Sequence, residues 1–180
     1  MAKIINFPIA FRQVSSYLRD HVSHLESVAA RGEAAVAEGG EESCPAFGFL
    51  RGLDARALAL EFRLRSGDSE WFAYSCLVSW RFNPSVGLLL KFTTGNGVCL
   101  VLVRGSNLDA PVRQAQVNLT DRGLQRHRIV FVREMHEVEL RRAREGEPTI
   151  NRIDIGEFET TEEQREWLKA RAPVFIRKQR

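Results

Sequence analysis

Residues 71–82, WFAYSCLVSWRF, place the strongest constraint on how this chain can fold. Phe72, Tyr74, Cys76, Val78, Trp80 and Phe82 hold the even positions, while Ala73, Ser75, Ser79 and Arg81 are among the odd ones. Side chains in a strand point alternately to opposite faces, so the pattern predicts one long strand with an apolar face. Burying its large aromatic and aliphatic members at ~1.5–3 kcal/mol each is worth on the order of 10 kcal/mol before conformational entropy is subtracted. That face is expected to be core.

The neighbouring segments extend the same period. Leu58, Leu60, Phe62 and Leu64 alternate with Arg63 and Arg65, and Ser66-Gly67-Asp68-Ser69 turns the chain. Asn83-Pro84-Ser85 makes the next turn, because Pro cannot continue an interior strand. Residues 87–93 follow, then Gly95-Asn96-Gly97, then the run 98–103, which has no polar side. A strand apolar on both sides sits centrally, or where a sheet curls on itself. Four strands joined by short turns predict an antiparallel meander. The long member beside shorter ones predicts strong curling, towards a small barrel-like sheet of five or six strands.

The flanks predict an α+β fold. Within residues 1–31, positions 9–31 read as an amphipathic helix with Val14, Leu18, Val22 and Leu25 on one stripe. Residues 32–46, small, acidic and Gly-rich, read as a flexible linker, which leaves a β-rich domain over 47–158. Within that domain, 109–119 reads as a short helix, 127–134 and 151–158 as strands, and 135–144 as helical. Thr160 with Glu163 forms a capping-box signature, so 159–180 is expected to hold a short helix and a basic tail.

Chemistry is sparsely marked. No apolar run approaches the ~20 residues of a membrane-spanning helix, so no membrane is expected as a partner. Cys44, Cys76 and Cys99 form no CxxC pair, and a reduced, cytoplasmic setting is expected. Cys44 has only Glu41 and Glu42 nearby, which would raise its pKa. His21 and His24 lie three apart without a matching partner set, so neither metal nor cofactor is expected. Residues 104–144 carry nine Arg against five acids, among them Arg122, Arg126 and Arg128. Together with the basic tail, these could attract phosphates.

The apolar strand ending in Arg104-Gly105, two polar residues and Leu108 resembles the second motif of Sm-like proteins, curled five-stranded sheets that form rings and often bind RNA. The resemblance covers residues 57–108 and implies that Asn83, Arg104 and Gly105 are candidate RNA contacts. Where the family has an Asp followed by an Asn, this chain has Trp80-Arg81-Phe82-Asn83-Pro84, with the Asn alone. The reading is a non-enzymatic interaction module, binding a protein partner or a second copy of itself, with Val14, Leu18, Val22 and Leu25 as candidate interface. An RNA- or DNA-binding module is the alternative, and an enzyme of unrecognised type the third.

Overall fold

A computed structural model describes residues 40–52, 54–95, 97–112 and 116–176. The expected N-terminal helix, with Val14, Leu18, Val22 and Leu25, and the end of the basic tail lie outside the described residues. Nine strands are described: β1 (Glu41–Ser43), β2 (Phe47–Leu50), β3 (Ala59–Arg63), β4 (Ser69–Ala73), β5 (Leu77–Asn83), β6 (Gly87–Thr94), β7 (Gly97–Ser106), β8 (Ile129–Arg133) and β9 (Thr149–Phe158). Two α-helices accompany them, α1 (Glu137–Arg142) between β8 and β9 and α2 (Thr161–Arg171) after β9.

The fold expected from the sequence needs correction. Instead of an α+β chain with one curled, barrel-like meander, the described residues are mostly β and form two sheets with no closed barrel. One sheet has the order β1-β2-β8-β3-β4 and the other β5-β6-β7-β9. β8 enters the first sheet parallel to β3, which no meander does. Glu41–Ser43, inside the segment expected as linker, pairs with β2.

The physical reason lies in the alternating run itself. Its chain breaks at Tyr74–Cys76, a single 3-10 turn, so β4 closes one sheet and β5 opens the other. Tyr74 anchors the break. Its backbone N–H donates to Leu58 O at 2.9 Å and its hydroxyl donates to Ile129 O at 2.9 Å. Its ring stacks on His127 at 4.5 Å. An alternating pattern survives such a turn unmarked, because period two reports only which side chains are apolar, not which sheet they join.

Both sheets share one core. Phe47, Phe49, Leu60 and Phe62 from the first sheet meet Leu88, Leu90, Phe92, Val101 and Val103 from the second. Phe92 stacks on Phe72 at 4.6 Å and meets Phe62 edge-on at 6.1 Å. The opposite face of the second sheet carries Leu89, Leu100 and Leu102, which pack with Trp167, Leu168, Ala172 and Phe175 from α2 and the turn after it. β7 is therefore covered on both faces, which accounts for its unbroken apolar run. Residues 109–112 are not helical. The short helix lies instead at Leu119–Leu124, where the Asn118 side chain accepts the Arg122 N–H at 2.9 Å. The capping box of Thr160 and Glu163 starts α2 as the sequence predicts.

The Arg104-Gly105 step is a bulge, with a register shift between the two residues opposite β9. A Cβ at Gly105 would stand 1.8 Å from Thr149 O, which belongs to backbone and cannot yield like a side chain. Gly105→Ala is expected to lower stability by about 3 kcal/mol, the upper end of overpacking costs. Gly95→Ala, with open space around it, serves as the control. Urea denaturation of both variants checks this, and equal midpoints would refute the close approach.

Candidate functional site

The residues that the sequence singles out for nucleic acid divide into two places. Asn83 and Arg104 lie at one end of the second sheet. Asn83 Oδ1 accepts the Ser85 N–H at 3.0 Å and so shapes the β5–β6 turn. Arg104 Nε pairs with Asp154 at 3.2 Å, and its terminal nitrogen donates to Arg171 O at 3.0 Å. Asp154, nearly buried, also takes Arg152 at 2.8 Å. Arg104 thus ties β7 to β9 and to the end of α2.

Arg122, Arg126 and Arg128 lie in and just after the short helix between β7 and β8. Arg128 is only 8% exposed and donates to Leu50 O at 3.0 and 2.7 Å and to Arg51 O at 3.1 Å. Burial, and then neighbouring Arg126, bring its pKa below the ordinary arginine value. Arg122 donates to Gln116 O at 3.2 Å, while Arg126 is exposed. Of the charged candidates, Arg104 and Arg128 spend their donors on the protein's own backbone and carboxylates.

A cleft of about 640 Å³ opens between the β1–β2 turn, α1 and the loop that follows α1. Its apolar lining includes Pro45, Pro111, Val112, Met135 and Pro148, and its carboxylates are Glu42, Glu139, Glu145 and Glu147. Arg51 pairs with Glu42 at 2.8 Å. Arg133 holds Glu139 through two bonds at 2.8 and 3.1 Å while donating to Pro45 O. The thiol of Cys44 lines the cleft and donates to Phe47 O at 3.4 Å. Burial pushes this thiol up from its ordinary value, against weaker opposing pulls from backbone and Arg133. It stays protonated at neutral pH and is a poor nucleophile. Among the described residues no group of three or more His, Cys, Asp or Glu is placed to hold a metal ion.

The second feature is an edge. Among the described residues β5 ends its sheet with only β6 beside it, and Val78, Ser79 and Trp80 are consecutively exposed, Val78 by 56% and Trp80 by 36%. A register shift between Leu77 and Ser79 turns Val78 outward, which corrects the expectation that the whole even face is core. Phe72, Tyr74, Cys76 and Phe82 do pack on the core. Beside β5, on the face that α2 covers incompletely, lies a cavity of about 340 Å³ lined by Val78, Ser79, Arg81, Leu89, Lys91, Leu100, Gln164, Leu168 and Phe175. Arg81 donates to Phe175 O and lies over its ring at 5.3 Å.

Sequence reasoning missed this cavity because its wall comes from α2 and Phe175, far along the chain. The available signal was Lys91, a cation inside the apolar segment 88–92. No family model, curated protein or solved structure matches the chain.

The Glu139 carboxyl is held down to about 2, first by Arg133 and then by the His136 backbone N–H. A depressed carboxyl contributes stability above its ordinary value of 4.5 and loses it as pH falls towards about 2. Glu139→Gln is therefore expected to be less stable than the parent at pH 7, with the gap closing across that window. Thermal unfolding between pH 7 and pH 2 measures this, and a gap independent of pH would contradict it.

Proposed function

We propose that the chain is a non-enzymatic interaction module that docks a protein partner along the free edge of β5. The observation that supports this reading is the composition of that edge. Natural edge strands are blunted by short length, charge or proline, since their unpaired backbone groups template further pairing. β1 is short and acidic, and β9 carries Arg152, Asp154 and Glu157. β5 spans seven residues with Arg81 as its one charge, and Arg81 is turned towards Phe175. Such an edge fits recognition by strand addition, in which main-chain bonds supply affinity and side-chain pockets supply specificity.

Trp71 on β4 and Leu58 before β3 add exposed apolar surface near the turn that joins β4 to β5. Aromatic anchors of this kind dominate binding energy at protein interfaces. The cytoplasmic setting is part of the same proposal, supported by Cys44, Cys76 and Cys99 all being free thiols. Among the described residues no helix is long and apolar enough to cross a membrane.

Replacing Trp80 by a photo-reactive benzoylphenylalanine and irradiating cells is the test. A discrete protein adduct is expected, and it should vanish on adding Val78→Lys. A benzoylphenylalanine at Val138, exposed on α1, serves as the control site. Crosslinks to nucleic acid alone, or none at position 80, would overturn the proposal.

A further inference from the structure

The cavity beside β5 adds a charge requirement to that edge. Arg81 faces Leu89 across the β5–β6 ladder and Ser79 faces Lys91, so Arg81 and Lys91 share the outer face of the sheet. No carboxylate among the described residues lines the cavity, and its floor and roof are apolar, with Leu89 and Leu100 below and Leu168 and Phe175 above. Lys91 is half-buried and makes no hydrogen bond or ion pair among the described residues. Two cations that share a sheet face with no acid beside them among the described residues favour a carboxylate brought to that face.

The inner face of the same edge is different. Trp80 stands opposite Leu90 and Phe82 opposite Leu88, both of them core residues. A strand added to β5 must continue this alternation, because its side chains also point to the two faces in turn. We infer that the segment docked on β5 is an extended peptide alternating apolar and acidic side chains, its apolar residues beside Trp80 and its carboxylates at Arg81 and Lys91. The inference rests on the edge-docking reading above and specifies the chemistry of the partner. A second copy of β5 is the wrong occupant. Antiparallel pairing of two such edges would place the Arg81 and Lys91 of both copies on one sheet face and add cations to a site that lacks anions.

Two blocked ten-residue peptides, one alternating Val and Glu and the other alternating Val and Lys, test this by fluorescence anisotropy on the full chain. The Val–Glu peptide is expected to bind and the Val–Lys peptide to fail. Lys91→Glu should weaken the Val–Glu complex about fivefold or more, the scale of a partly exposed ion pair, and admit the Val–Lys peptide. Lys91→Gln, the milder change for folding, should fall between. Equal binding of both peptides, unmoved by Lys91→Glu, would remove the charge requirement and leave edge docking standing. Binding of neither peptide while position 80 still crosslinks to a protein has the same meaning. Binding of neither together with loss of that crosslink would remove both.

Discussion

The stack of Phe72 on Phe92 is the contact on which the arrangement of the two sheets depends. Phe72 ends the first sheet on β4, and Phe92 lies in the second sheet on β6, reached through the Tyr74–Cys76 turn and one hairpin. The chain can pass from one sheet to the other in three residues because these rings close the gap immediately behind the turn. Phe62 completes the cluster edge-on to both. Offset and edge-to-face rings are favourable beyond the area they bury, so the cluster fixes spacing as well as contact. With β4 and β5 consecutive in the chain rather than paired side by side, the barrel cannot close there, and both strands become edges.

What covers the second sheet then decides which edge matters. α2 and the turn at Phe175 lie over β6, β7 and β9 and are held by Arg104, whose guanidinium reaches both Asp154 and the last carbonyl of the helix. The cover thins towards β5, where Arg81 reaches Phe175 and a cavity remains. A polar network on one side of the sheet and an open, cation-lined margin on the other follow from the same helix placement. Asp154 is satisfied from two directions, whereas Lys91 is satisfied from none among the described residues.

Much of the local structure was legible in the sequence, and its limits have physical causes. The apolar run of β7 implied burial on both faces, and the Thr160–Glu163 spacing located the start of α2. The turns at Ser66–Ser69 and Asn83–Ser85 were readable because Gly, Pro and Asn impose backbone geometry locally. The break at Tyr74 was not readable, since a buried aromatic at an even position looks the same whether the strand continues or turns. The parallel pairing of β8 with β3 was also hidden, because sequence distance carries no pairing information across 65 or so intervening residues. Among candidate contacts, Arg104 stands in β7 where the apolar run ends, yet its partner Asp154 lies on β9, fifty residues away. Lys91 is a lone cation in an apolar segment of the sequence, but that no acid stands beside it among the described residues required the position of α2.

The central claim is that β5, an edge among the described residues, is a free edge created by the split of an apparently continuous strand. Native-state hydrogen exchange, followed residue by residue in NMR spectra, tests it most directly. Amides of β6 and β7 and those β5 amides that point at β6 should be protected, while the outward-pointing amides of β5 exchange at the rate of exposed backbone. Uniform protection along all of β5, equal to that of β7, would show the strand to be paired on both sides and would contradict the account.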